Sequence, residues 1–440
     1  MALKNKIGDL FKGFSKLTRP ERLSRLVSMG ALTPDDVKYL AQNQGLSPNL
    51  AEQFIENVIG YFQLPLGVAT NFRVDGHDYV IPMAVEETSI IAALSKNAKW
   101  IRESGEIHTD IQGEDFIGQI QFAKVHDFEK LKITLEKNKN YLINLANTEV
   151  AANMVKRGGG VKDLQLRHVM RPDKSSMAVL HVLVNTCNAM GANLITQICE
   201  FLKHPIETLS QEHVSMCILS NLCDTKITRA HVVIHNVDPL IAEGIAEASL
   251  FAESDPYRAA TSNKGALNGM DPVLIATGND WRAVEAGVHA FAAHKGRYTS
   301  ITHWEMRGND LIGKLEAPIM VGIVGGVTRL HPTAKMCLNM LGVESADELS
   351  RVVAAVGLVQ NLGAIRALTT FGFIQGHMKL HISNLTLEAG ARGREIPLVK
   401  KRLEEVLLLR QRITLSNAID ILRELRNKAL YPHLAMSESE

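Results

Sequence analysis

Apolar residues recur at helical spacing near the start of the chain, where Leu23, Leu26 and Val27 share a face, Pro20 suits a first turn and Gly30 supplies a stop. Thr33-Pro34-Asp35-Asp36 begins a second helix, with Thr33 as cap and acids in the first turn. Within Val74-Asp75-Gly76-His77-Asp78-Tyr79-Val80 the Asp-Gly pair predicts a tight hairpin. Ile90, Ile91, Leu94 and Ala98 return to helical spacing over 87–99. From 117 to 218 the texture changes: short candidate strands at 164–170 and 177–184 alternate with helical stretches at 137–156 and 192–203. That mixture predicts an α+β domain in its own right. Residues 227–371 are rich in alanine and glycine, as closely packed central helices with functional loops would be. Beyond Gly376, Pro397 suits a helix start, and Ser416 can cap a helix carrying Ile419, Leu422 and Leu425, so the end of the chain reads as a small helical module.

Composition narrows the class. Charged residues make up 22% of 440 and the formal net charge is +1, which gives no electrostatic reason to expect nucleic acid or an anionic membrane as partner. No run approaches the roughly 18 to 20 continuous apolar residues of a membrane span. The amphipathic start, with Lys4, Lys6, Lys12 and Lys16 among Leu3, Ile7, Leu10, Phe11 and Phe14, reads as a helical arm packed on the protein. The cysteines, Cys187, Cys199, Cys217, Cys223 and Cys337, are odd in number and form no CxxC pair, so reduced thiols in a cytoplasmic protein are expected. Neither GxGxxG after a strand nor a Walker GxxxxGK[ST] is present, which argues against a standard Rossmann domain and a P-loop. His377 and His381 stand four apart, but Met378 occupies the place of the glutamate in a zinc HExxH pair and no third-ligand cluster accompanies them, so no metal is expected.

Several segments, taken in order, carry a resemblance. They are Glu56-Asn57-Val58-Ile59-Gly60 running to Pro65-Leu66-Gly67-Val68; Ala84-Val85-Glu86-Glu87-Thr88-Ser89-Ile90; and Asn188-Ala189-Met190-Gly191-Ala192-Asn193. Asp255-Pro256-Tyr257-Arg258-Ala259-Ala260-Thr261-Ser262-Asn263-Lys264-Gly265 follows, with Thr277-Gly278-Asn279-Asp280-Trp281-Arg282-Ala283. Gly322-Ile323-Val324-Gly325-Gly326-Val327-Thr328 and Gly376-His377-Met378-Lys379-Leu380-His381 complete the set. Together they resemble the 3-hydroxy-3-methylglutaryl-CoA reductases. Ala192, where membrane-anchored members tend to have methionine, is similar to the soluble class II.

The resemblance implies an α+β multidomain fold. A large, mostly helical α/β substrate-binding domain (1–116 and 219–375) would hold an inserted small α+β, ferredoxin-like cofactor domain (117–218). A C-terminal helical flap (376–440) would follow. It also implies roles. Glu87 would give a proton to the forming alcohol, which at neutral pH requires burial or a nearby negative charge; taken alone, Glu86 and Glu87 could simply complement the next helix's positive end. Lys264 would hold the thioester oxygen as it becomes negative, although lone lysines are usually solvated. Asp280 would stand beside both, and could equally cap the helix after it. His377 would protonate the departing CoA thiolate, since imidazole titrates near neutrality. Arg258, Asn268 and Ser89 would bind substrate. Asn188, Met190, Gly191, Ala192, Asn193, Gly325 and Gly326 would bind the nicotinamide cofactor, the glycines allowing close backbone approach.

One departure stands out. The family segment usually begins with Asp, and position 188 is Asn, which keeps a carbonyl acceptor without the charge. NADH and NADPH both remain open, because Glu149 argues for a ribose hydroxyl and Lys156 and Arg157 for a phosphate. The implied partners are HMG-CoA or mevalonate, CoA, and a second copy, in a dimer or assembly of dimers with sites at the interface. The same chemistry could run in reverse to consume mevalonate. A silent CoA-binding protein of the same fold should have lost Glu87, Lys264, Asp280 or His377, and all four are present. A metal-dependent thioester hydrolase lacks its ligand cluster.

Overall fold

The computed structural model describes residues 7–42, 48–370, 373–410 and 412–430. It forms two compact units, Met1–Glu86 with Ile90–Gly363, and Glu87–Ser89 with Ala364–Glu440. In the first unit the described part of the expected helical arm is two 3-10 turns, Gly8–Phe11 and Phe14–Lys16, its first six residues lying outside the described residues. Gly13, at φ 74°, separates them, and Ile7, Phe11 and Phe14 are buried. Helices α1 (Arg19–Ser28), α2 (Pro34–Ala41) and α3 (Pro48–Ala51) follow. The first two begin on capping boxes, Thr18 with Glu21 and Thr33 with Asp36.

Strands β1 (Leu66–Val74) and β2 (His77–Ala84) make the expected hairpin. Asp75 and Gly76 both have positive φ, the geometry of a type I′ turn. After α4 (Ile90–Ser104) come β3 (Gly105–Gln112) and β4 (Phe116–Phe122). Helices α5 (Phe128–Glu149) and α6 (Ala152–Val155) lead to β5 (Gly160–Met170) and β6 (Ser176–Asn185), then α7 (Ala192–Ser210) and β7 (Met216–Leu219). Beginning at β4, the order is βαββαβ, and the antiparallel sheet runs β5-β6-β4-β7, the ferredoxin-like arrangement. Its own core includes Ile120, Phe122, Leu142, Leu180, Ile195 and Leu202.

Two helices here differ from the periodic reading. α5 starts earlier because the Asp127 side chain accepts the Lys130 amide, and α7 continues through Pro205. The stretch read as central helices also contains strands: β8 (Ile227–Ile234), β9 (Thr302–Arg307) and β10 (Asp310–Ala317). With β3 they form an antiparallel sheet ordered β3-β8-β10-β9. Pairing on both sides of β8 and β10 outweighs the weak local strand signal of these segments.

Around that sheet lie α8 (Pro239–Ser254), α9 (Pro256–Ala276), α10 (Trp281–Ala293), α11 (Gly326–Leu330), α12 (Pro332–Leu341) and α13 (Ala346–Thr370). α13 is long and apolar enough by composition to cross a membrane, yet most of it is buried in the protein. Leu349, Val352, Val353, Val356, Val359 and Leu362 are each at most 1% exposed, so it is the core helix. Each such side chain contributes about 1.5–3 kcal/mol on burial.

The second unit contains α14 (Phe373–Glu388), α15 (Glu395–Arg410) and α16 (Leu415–Leu430), around Leu385, Val399, Leu403, Ala418 and Leu422. Ser416 is not the cap of α16. Thr414 and Asn417 hold that end reciprocally, with the Asn417 amide donating to Thr414 Oγ1 and the Thr414 amide to Asn417 Oδ1.

Candidate active site

α9 starts where Asp255 accepts the Tyr257 amide and Pro256 sets the first turn. Ala259, Ala266, Leu267, Met270 and Val273 bury one side of it, which leaves Lys264 exposed and Asn268 half-buried on another. Positions 264 and 268 are successive on one helical stripe, whereas Arg258 is turned from Lys264 by about a third of a revolution. Burial lowers the proton affinity of the Arg258 guanidinium. Asn263, next to Lys264, is fully buried and anchors the helix: its amide nitrogen donates to Tyr298 Oη and Thr299 O, and its carbonyl accepts the Ile301 amide.

The end of α9 delivers the Gly278-Asn279-Asp280 turn. Asp280 caps α10 by accepting the Ala283 amide at 3.2 Å, and the same oxygen pairs with Arg282 at 3.2 Å. Asn279, which sequence reasoning passed over, does the joining. Its carbonyl accepts the Gly322 amide at 2.8 Å and its amide nitrogen donates to Thr277 Oγ1 at 3.0 Å. Gly322 in turn lies so close to the Asn188 segment that a Cβ there would stand 2.5 Å from the Met190 nitrogen. The Ile323 amide donates to the Asn188 carbonyl oxygen at 3.0 Å. Three loops distant in sequence are therefore stitched together at the end of the helix that carries Lys264.

Asn188 has a second partner, because its side-chain carbonyl accepts the Ala346 amide at the start of α13. Met190, Gly191 and Ala192 are half-buried and Asn193 exposed. Gly191, at φ 89°, precedes α7 without a side-chain cap, so the first amides of a 19-residue helix are left to a ligand or solvent. Thr186 closes the turn behind it by donating to Ala189 O at 2.7 Å. Gly325 and Gly326 are exposed, both at positive φ, and the Thr328 hydroxyl donates to Gly325 O. Nearby, Cys187 Sγ donates to Arg157 O at 3.6 Å, which places the exposed Lys156 and Arg157 on a turn against the Asn188 segment. Glu149 is exposed as well.

Glu87 is exposed. Ser89 has φ 78°, unusual for a residue with a Cβ, and its hydroxyl is buried with no hydrogen-bond partner among the described residues. His377 lies in α14, but its side chain falls outside the described residues. His381 is exposed. The other residue missed by sequence reasoning is Asp271, on the Lys264 stripe. Burial, then the neighbouring Glu285, push its carboxyl up to about 8. The signal was available in its spacing of seven from Lys264.

A family model for hydroxymethylglutaryl-coenzyme A reductase matches residues 19–382. The chain belongs to that family. It is 43% identical over 420 residues to the 3-hydroxy-3-methylglutaryl-coenzyme A reductase of Archaeoglobus fulgidus, covering 94% of each chain. It is 32% identical to a probable reductase of Borreliella burgdorferi, covering 86% of each. The solved reductase of Streptococcus pneumoniae is 37% identical, superposes with a TM-score of 0.80 and is covered over 99% of its length by 94% of this chain. A class II structure from the same organism, bound to NADPH in open conformations, gives a TM-score of 0.78 at 37% identity, over 82% of this chain and 100% of that one. The reductase fold and class II assignment implied by the sequence segments hold over nearly the whole chain.

Proposed function

We propose that this chain reduces 3-hydroxy-3-methylglutaryl-CoA to mevalonate and CoA in two successive reductions, with Lys264 as the cation that meets the reacting oxygen. The observation that carries this is the stitching of the Asn188–Asn193, Gly278–Asp280 and Gly322–Thr328 loops at the end of α9. In a nicotinamide-dependent oxidoreductase, the bound cofactor supplies the hydride. The uncapped start of α7 suits its phosphates, and the orphaned Ser89 hydroxyl suits a polar group of the substrate. Lys264 offsets the charge on the thioester oxygen, and the intermediate then releases CoA, protonated by His377. The aldehyde is reduced in turn, with Glu87 supplying the proton. Arg258 and Asn268 hold the substrate carboxylate, and Asp280 orients the lysine. The roles of Glu87, Asp280 and His377 rest on the family resemblance.

NADPH is the reductant we favour. Lys156 and Arg157 stand on the turn that touches Cys187, and two cations there suit a 2′-phosphate. The Streptococcus pneumoniae relative was solved with NADPH. We assign residues 117–218 as the cofactor domain and 376–440 as a flap, and place the protein in the cytoplasm. The exposed Ile55, Ile59 and Phe62, apolar and outside any strand, support a second copy as partner, in a homodimer.

The test follows NADH and NADPH oxidation with HMG-CoA, alongside release of free thiol. Two equivalents of NADPH consumed per thiol released is the expected outcome; thiol release without oxidation would instead mean hydrolysis. Lys264→Ala should lower kcat by about 10²–10³ or more, as loss of an oxyanion partner does. Near-normal turnover of a folded Lys264→Ala enzyme would refute its role.

A further inference from the structure

Ser262 and Asn263 immediately precede Lys264 on α9 and are 2% and 0% exposed. Serine and asparagine are poor residues for a helix interior, and burying their polar atoms is unfavourable unless they are paired. Here both are paired, by different neighbours. Asn361 of α13, itself 1% exposed, donates through Nδ2 to Ser262 Oγ at 3.1 Å and to Ser262 O at 3.4 Å. Its Oδ1 accepts the indole N–H of Trp304 on β9 at 2.9 Å, and the Trp304 amide donates to Ser249 Oγ on α8 at 2.9 Å. Asn263 is held by the segment between α10 and β9. Its Nδ2 donates to Tyr298 Oη at 3.0 Å and to Thr299 O at 2.9 Å, and its Oδ1 accepts the Ile301 amide at 2.9 Å. Because Asn263 Nδ2 can only donate, the Tyr298 hydroxyl proton is left for His289 Nδ1 on α10, 2.7 Å away.

Successive helical residues are turned by about 100°, so grips at 262 and 263 take hold on two sides of α9 and Lys264 emerges on a third. Buried positions around them, Ala259, Ala266 and Gly269, are small and apolar, and apolar contact has no direction. Hydrogen bonds have one. A rotation of α9 by about 10° would displace a group ~6 Å from its axis by about 1 Å. A misplacement of that size can cost an enzyme about 100-fold in rate. We propose that Asn361 and Asn263 are positioning residues: by fixing the rotation of α9 from two sides, they hold Lys264 on the oxygen that becomes negative as hydride arrives. The inference rests on Lys264 being that cation. Both asparagines are too deeply buried to meet the substrate, and they act through the backbone of α9.

The experiment compares the full chain with Asn361→Leu, with the double variant Ser262→Ala/Tyr298→Phe, and with Lys264→Ala. It reads steady-state kinetics with HMG-CoA and NADPH, and the loss of NADPH absorbance in a single turnover with enzyme in excess over NADPH. Circular dichroism verifies folding and gives the melting temperature. In Asn361→Leu the single-turnover rate should fall by at least about tenfold while both KM values change by less than about twofold, because the loss falls on the transition state. The double variant deletes one hydroxyl from each grip and should behave the same way; it decides the matter if Asn361→Leu does not fold. A folded variant that melts lower yet keeps the wild-type single-turnover rate has lost only structure, and overturns the inference while leaving Lys264 in its role. A rise in KM without loss of that rate does so too. An inactive wild type, or an active Lys264→Ala, overturns the lysine assignment and the positioning with it.

Discussion

The side-chain carbonyl of Asn188 accepts the backbone amide of Ala346 at 3.0 Å, so a residue of the loop before α7 caps the core helix α13. Ser345 takes the Glu348 amide at the same end. Two of the unsatisfied amides of that helix are thus closed, one of them by a loop 158 residues earlier in the chain. Asn suffices here because the bond needs an acceptor and not a charge. Asn188→Asp should therefore keep the fold and change stability little. Asn188→Ala should cost about 1 kcal/mol, the usual worth of a lost cap. It should also raise the KM for the nicotinamide cofactor, as the loop that receives the Ile323 amide loosens. Urea denaturation and steady-state kinetics check both; an Ala variant as stable as wild type would show the bond to be idle.

At Gly322 the constraint is space. A Cβ would meet the Met190 nitrogen at 2.5 Å and the Ala189 carbonyl carbon at 3.1 Å, both backbone atoms with no side-chain freedom to yield. Gly322→Ala should cost about 1–3 kcal/mol and weaken cofactor binding by pushing the two loops apart. Cofactor fluorescence titration reads the second effect, and unchanged affinity would contradict the close approach.

Asp271 also shapes stability against pH. Its proton affinity is raised in the folded protein, so between its ordinary value of 3.8 and about 8 the native state binds the proton and the unfolded state does not. Its contribution is full below pH 3.8, declines as pH rises, and is lost by about pH 8. Asp271→Asn removes that term. The urea midpoint of the variant, relative to wild type, should be higher at pH 8.5 than at pH 4. A difference that does not vary with pH would contradict the raised affinity.

The thiols give an independent check on packing. Burial pushes Cys199, Cys223 and Cys337 up to about 12, and Cys217 up to about 11. Since the thiolate is the reactive form, these should resist an aromatic disulfide reagent in the native protein. Cys187, half-exposed beside Arg157, should react first. One fast thiol in the native state and five in urea is the expected count. That slow background also keeps released CoA readable in the assay.

Features built from neighbours in sequence were legible in advance. The Asp75-Gly76 turn needs two positive φ angles, and that pair of residues adopts them readily. The capping boxes at Thr18 and Thr33 close within one turn of helix. Where two local signals competed, position alone was not enough. Ser416 and Thr414 can both cap, and the partner Asn417, three residues after Thr414, decides between them. The early start of α5 followed from Asp127, a cap that the apolar period does not mark.

The family segments made the reductase reading available from sequence, and with it Lys264, Asp280 and the glycine loops. What those residues touch depended on contacts between distant parts of the chain. The antiparallel sheet around β8 and β10, the bond from Asn279 to Gly322, and the capping of α13 by Asn188 each join segments far apart in sequence. Local preferences are properties of short stretches and can be read from them. A raised carboxyl, an orphaned hydroxyl or a glycine held against a foreign backbone exists only after packing has excluded water, because exclusion is what gives each its energy.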